Sequence, residues 1–286
     1  MADSYSSKLQ LWEGWQRDAG QRLPGAPGPI PADLLYTAET LGPPLAPGPD
    51  GGEVEPYSLQ WFLHVETLRH QRHGRWIPSV LEFTKHGGET LLGVGATLGT
   101  DWVQYARHGA SVVVCDPDGT QLPLVRRNFE LRELTARYLP LVGGQLPIES
   151  ASIDVVCAVN HLEHLADPRP FVDDVYRVLK PGGKVLSVIP ARYDIDFWHR
   201  ALSPWLLFRR LPPAREQAYS ARSLRSLFGR FVEHRVHKRH LRRADVPHLW
   251  RLLPSSFLQR LVGRHLVLKA FKPLSAAIPA SSASAA

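Results

Sequence analysis

Three stretches of this 286-residue chain combine side chains that could do chemistry. The first, Gly93-Val94-Gly95-Ala96-Thr97-Leu98-Gly99, is a glycine-bearing turn. Glycine lets the backbone approach a ligand closely, and a helix beginning just beyond presents free N–H groups. The spacing is not the G-x-G-x-x-G of dinucleotide binders, because Leu98 stands three residues after Gly95. Alone, the turn fits a tight bend as well as it fits a ligand site. The second is Asp116, which ends the run Val112-Val113-Val114-Cys115 and lies 21 residues beyond Gly95. A carboxylate at the tip of a second strand, about 20 residues past such a turn, can accept hydrogen bonds from both hydroxyls of a ribose diol. The plainer reading is an acid that merely ends a strand. The third is Asn160-His161-Leu162-Glu163-His164, with Asp194, Asp196 and His199 further on. These side chains could take a proton from a reacting group. With 13 histidines in the chain, a surface or capping role is the better reading for any single one.

The elements that must position these residues are legible as pattern. Apolar, β-branched runs predict strands over 89–94, 111–115, 138–142, 153–159, 184–189 and 265–271, and an alternating, charged run predicts another over 231–239. Amphipathic runs predict helices over 59–83 (broken near Pro78), 101–108, 119–134, 169–180, 223–231 and 247–262. Pro181-Gly182-Gly183 is expected to break the helix before it. Continuous apolar strands alternating with amphipathic helices imply a mainly parallel sheet covered on both faces.

Two more segments complete a pattern: Leu146-Pro147-Ile148-Glu149-Ser150-Ala151-Ser152-Ile153-Asp154-Val155-Val156, and Val178-Leu179-Lys180-Pro181-Gly182-Gly183. Together with the glycine turn and Asp116, in this order and spacing, they resemble the class I S-adenosylmethionine-dependent methyltransferases, in a type 11-like subgroup. The run Gly99-Thr100-Asp101, followed by Gln104 to Ala110, matches that subgroup too. The resemblance covers about Tyr57 to Pro273. It implies a Rossmann-like, doubly wound α/β fold with a seven-stranded sheet, the last strand antiparallel, and helices on both faces. It also implies S-adenosylmethionine as cofactor. Carried over by position, Gly95, Ala96, Thr97 and Gly99 approach its methionine part, Asp116 holds the ribose and Pro117 lines the adenine. Gln145 and Leu146 edge the adenine pocket, and Asn160 and His161 lie beneath the sulfonium. His161 and His164 are the catalytic candidates. Three positions depart from the family: its acid two residues before the first glycine is Gly93, its middle glycine is Thr97, and its adenine-binding acid is Val142. Asp101 is the candidate to take over the ammonium group.

Composition sets the frame. With 44% apolar residues, the chain can bury a sizeable core, which excludes full disorder. No apolar run approaches the roughly 18 residues of a membrane span, and no secretory leader is legible. The two cysteines, Cys115 and Cys157, sit in apolar runs and read as buried free thiols of a reducing compartment, hence a cytoplasmic expectation. No metal site is expected. The domain expectation is a Pro/Gly-rich arm over 1–56, partly ordered, the methyltransferase domain over 57–274 and a disordered tail over 275–286. Within the domain, 191–220 forms a lid or acceptor-side insertion, where Tyr193, Phe197, Trp198 and Trp205 are candidate wall residues. The charge is split. Residues from Ala191 onward hold 18 Lys+Arg against 5 Asp+Glu, and the first 190 hold 16 against 22. The expected acceptor is a small or lipid-like molecule. An anionic membrane surface is a candidate partner, because 249–268 mixes Leu, Trp and Phe with arginines. No nucleic-acid-binding motif accompanies the charge, which argues against nucleic acid. The rival reading is a non-catalytic module that holds an anionic partner on its basic face.

Overall fold

The computed structural model describes residues 57–95, 98–116, 122–141, 144–202, 218–241, 246, 250 and 252–274. Backbone alone is described at 72, 73, 199, 200 and 202. The expected arm over 1–56 and tail over 275–286 lie outside these residues.

The strands are β1 (Thr90–Val94), β2 (Ser111–Asp116), β3 (Arg137–Pro140), β4 (Ile153–Val159), β5 (Leu179–Pro190), β6 (Val232–Arg239) and β7 (His265–Phe271). They form one seven-stranded sheet in the order β3-β2-β1-β4-β5-β7-β6. Strands β1 to β5 pair in parallel, and β7 runs antiparallel to both β5 and β6. This is the Rossmann-like arrangement that the resemblance implies. The strand order reverses at β1, so the carboxyl ends of β1 and β4 flank the switch point where such sheets hold ligands.

The helices are α1 (Leu59–Thr67), α2 (Ile77–Leu81), α3 (Thr100–Arg107), α4 (Leu122–Glu130), α5 (Arg169–Val178), α6 (Ile195–Leu202), α7 (Ala221–Leu227) and α8 (Ser255–Val262). They divide the core between two faces. Val94, Cys115, Val156 and Ile189 pack with Phe171 and Val175 of α5 on one face. Leu91, Val114, Cys157 and Val188 pack with Trp102 and Tyr105 of α3 on the other. Alternate residues of each strand thus serve opposite faces, so near-continuous apolar runs are required.

The pattern differs from expectation in four places. The helix expected over 59–83 is α1, a π-helical turn (Leu68–His73) and the short α2. Helix α5 stops at Val178 rather than Lys180, and β5 begins at once. Its pairing with β4 jumps from Ile153↔Leu179 to Val155↔Lys184, so Lys180–Gly183 bulges out of the ladder. Gly183 is needed in that bulge: a Cβ there would stand 2.8 Å from the Lys180 carbonyl oxygen. Helix α7 starts two residues before expectation because Ser220 and Ser223 form a reciprocal cap. Helix α8 is shorter than expected, because Pro254 occupies its N-cap.

Candidate active site

The tips of β2, β1 and β4 bring the glycine turn, the acid and the Asn-His turn side by side. Val94 pairs with Cys115 on one flank and Ala158 on the other, so Gly95, Asp116 and Val159–Asn160 follow on three adjacent strands. Gly95 has φ +112°, and a Cβ on it would lie 2.2 Å from the Val159 carbonyl oxygen. Only glycine fits there. Gly99, at φ +75°, is the N-cap of α3. A Cβ on it would meet Val125 Cγ1 of α4 at 2.9 Å, so this glycine allows α3 and α4 to close together. Between them Leu98 takes a left-handed φ of +52°, and the Asn128 side-chain amide holds its carbonyl at 2.9 Å. Leu98 also packs with Trp61, Phe62 and Val65, so α1 lies over the turn. Ala96, Thr97 and Pro117 lie outside the described residues, as do Val142 and Trp205.

Asp116 is 4% exposed at the end of β2. Asn160, at φ +47°, donates its amide to the Val188 carbonyl across β4 and β5. Its side-chain oxygen is buried with no partner among the described residues. Next to it His161 is buried, with Nε2 likewise unpartnered and its ring edge-on to Phe171 at 4.6 Å between centroids. Burial, and then His164, push the His161 pKa down to about 4, so the imidazole is neutral at physiological pH. His164 is exposed on the short 3₁₀ turn that follows (Leu162–His164), its amide donating to the His161 carbonyl at 3.1 Å.

Two of the candidate residues are engaged by other parts of the fold. Asp101 is fully buried on α3 and does not face a ligand as an open carboxylate. Arg69 Nε and Nη2 donate to its two oxygens at 2.7 and 2.5 Å, and His70 Nε2 lies 2.9 Å from Oδ1. Burial alone would raise its pKa, but Arg69 and His70 override this and hold it well below the usual carboxylate range. Asp101 therefore fastens the π-helical turn to α3. Leu146 turns its side chain into the core at 2% exposure. Its amide goes to Asp174 and its carbonyl to Arg177, both on α5, while Gln145 is exposed beside it.

The departure at Gly93 has a physical cause. A Cβ there would stand 2.6–2.8 Å from three atoms of the Trp102 indole. The ring fills the space a side chain at 93 would need, and its N–H has no partner among the described residues. Trp102 and Arg69 were not identifiable as site-shaping residues in the sequence. Their only signals were helical spacing and an isolated base. Tyr219 was missed too. Its hydroxyl donates to the Leu162 carbonyl at 3.1 Å, and its backbone bonds to Pro190 and Arg192. It ties the exit of β5 to the turn after β4.

The remaining acid candidates do structural work. Asp194 Oδ1 accepts the Phe197 amide at 2.9 Å, capping α6, and Asp196 pairs with Arg264. The His199 side chain lies outside the description. Tyr193, Phe197 and Trp198 form a chain of edge-on rings at 5.0 and 5.5 Å beside the exit of β5.

The residues present fit S-adenosylmethionine at the ribose end and around the methyl group. The cradle at Gly95 excludes any Cβ, Asp116 sits at the β2 tip, and the unpartnered atoms of Asn160 and His161 lie on the adjoining strand tip. Fold and site together are similar to those of the class I S-adenosylmethionine-dependent methyltransferases. Residues 92–187 match the family model described as "Methyltransferase domain".

The chain is 33% identical over 100 residues to an uncharacterized methyltransferase of Mycobacterium sp. (strain JLS), covering 35% of this chain and 38% of that one. It is 30% identical over 127 residues to the demethylmenaquinone methyltransferase of Clavibacter sepedonicus, covering 42% and 51%. The matched stretch thus spans about half, or less, of these curated relatives. A S-adenosylmethionine-dependent methyltransferase from Aquifex aeolicus shares the fold, with TM-score 0.51, 15% identity and coverage of 75% of this chain and 98% of that chain.

Proposed function

We propose that this protein transfers a methyl group from S-adenosylmethionine to a small, lipid-like acceptor entering at the carboxyl edge of the sheet. One observation carries the reading: Gly95, Asp116 and Asn160–His161 converge on three neighbouring strand tips at the switch point. The cofactor supplies a methyl already activated by a sulfonium. The rest of the rate comes from holding the acceptor about 3 Å away and excluding water. Asp116 grips the ribose, and Gly95 admits the methionine part. A neutral His161 with a free Nε2 is suited to accept a hydrogen bond from an acceptor hydroxyl, and thereby to orient it. Tyr219 and the ring chain from Tyr193 wall the acceptor side. The curated relative from Clavibacter is named for a quinone precursor, which supports an apolar acceptor. The two buried free cysteines suit the reducing cytoplasm.

Isothermal titration with S-adenosylmethionine tests the reading. The wild type should bind, and Asp116→Ala should weaken binding by about 1.5–3 kcal/mol, the range for hydrogen bonds to a charged group. No binding at millimolar cofactor would sink it. The second reading, a module without turnover, is favoured by one observation: the indole of Trp102 leaves no room for a side chain at Gly93, the position where the resemblance leads one to expect an acid. Cofactor binding with no turnover on a broad acceptor panel would select it.

A further inference from the structure

Helix α8 is apolar on both of its faces. Leu258 and Val262 are buried against the domain. On the other side Leu253, Phe257 and Leu261 are 41%, 52% and 46% exposed, and Leu252 beside them is 87% exposed. The four-residue spacing places Phe257 and Leu261 on one face of α8, and Leu252 and Leu253 stand exposed just before its Pro254 cap. Arg260 is exposed on the same helix, so apolar and basic side chains share its outer side. Four of the nine exposed large apolar side chains among the described residues fall within these ten positions, so this is a patch and not scatter.

The charge beside the stripe is positive. Arg225 on α7, Arg235 and Arg239 on β6, and Arg260 on α8 all act on His237, and the acid among them, Glu233, pairs with Arg235. From Ala191 onward the chain carries 18 Lys+Arg against 5 Asp+Glu. The patch is also tied to the exit of β5, at the carboxyl edge of the sheet. Lys238 Nζ donates to the carbonyls of both Leu261 and Tyr193, joining the end of α8 to the exit of β5. His265, three residues after α8, pairs with Pro190 at the carboxyl end of β5.

We propose that the α8 stripe and the surrounding arginines dock this protein on an anionic lipid surface, with Leu253, Phe257 and Leu261 in the headgroup–acyl boundary. A polyanion such as nucleic acid would use the arginines but not the stripe. An anionic bilayer uses both. That the acceptor is drawn from the bilayer rests on the methyl-transfer reading. The docking itself does not.

The test is flotation of the full-length protein, without cofactor, with phosphatidylcholine vesicles and with vesicles holding about a third phosphatidylglycerol. Binding should appear on the anionic vesicles and fall as salt is raised. Phe257→Ser with Leu261→Ser should reduce it by about tenfold or more, and Arg239→Gln or Arg260→Gln by about fivefold each. All should leave the S-adenosylmethionine affinity unchanged. Leu252→Asp, at the most exposed position, gives the same loss without touching the fold. Phe257→Trp should show fluorescence quenched by brominated lipid. Absence of anionic-vesicle binding, or full binding by the serine double variant, overturns the proposal. So does equal displacement by single-stranded DNA of wild type and serine variant, which marks a polynucleotide surface. Vesicle binding together with no S-adenosylmethionine binding would retain the docking and reject the methyl-transfer reading.

Discussion

A methyl group added at Gly95 would stand 2.2 Å from a main-chain oxygen that cannot move without unzipping β1 from β4. Gly95→Ala combines that clash with a φ of +112° that side chains avoid. It should cost roughly 2–4 kcal/mol in a denaturant melt and abolish cofactor binding. His161 makes a different prediction. Its folded pKa is about 4, below the ordinary 6.5. Between those values the unfolded chain binds a proton that the folded chain refuses. The stability this neutral imidazole permits is therefore complete above pH 6.5 and drains away as pH falls toward 4. Comparing melts at pH 7 and 4.5, the wild type should lose roughly 2–3 kcal/mol more than His161→Gln. Equal losses in the two proteins would place the His161 titration elsewhere.

At the scale of elements, the site owes its shape to the way the N-terminal helices are fastened. Arg69 and His70 sit on a π-helical turn, and both reach Asp101 on α3. Glu66 on α1 adds pairs to Arg107 and Arg132. Asp101→Asn leaves the Arg69 guanidinium buried without its counter-charge and should cost about 3–5 kcal/mol in urea unfolding. The double change Arg69→Met with Asp101→Leu should be much milder, because it removes both charges together. None of this fastening was legible in the sequence. Apolar strands announce themselves by composition, and the charged β6 by its alternation, so all seven were found within a few residues. The pairing of an arginine with an acid 32 positions later has no local signal. The bulge of Lys180–Gly183 was hidden for a related reason. Pro-Gly-Gly reads as a break, and only the ladder with β4 reveals that the strand continues through it. The glycine turn, Asp116 and the Asn160–His161 turn were legible because their spacing follows strand ends. The burial of Leu146 and Asp101 was not, because both depend on what packs above them.

For the whole molecule, the two thiols report on opposite faces of one sheet. Cys115 packs with α5 and Cys157 with α3, and both are fully buried. Burial pushes the Cys115 thiol up to about 12 and raises that of Cys157 as well. A thiol-specific reagent should therefore label neither in native buffer. On titration with denaturant, both should become reactive along a single curve if the two faces unfold as one unit. Separate curves, followed by mass spectrometry of the labelled peptides, would show that one helical layer opens before the other. The charge division runs along the same body. The sheet edge bearing Asp116 belongs to the acidic part of the chain, whereas β6, α8 and β7 belong to the basic part.

The contact between Gly93 and the Trp102 ring sets the order in which this site could change over descent. An acid introduced at 93 first would collide with the indole. A small residue introduced at 102 first would leave a hole beneath β1, at a cost of about 3–5 kcal/mol. Neither single step is easy, so the two positions should travel as a pair. A lineage that had once accepted tryptophan at 102 would be held to glycine at 93, and would have to find its hold on the cofactor's amino group somewhere else.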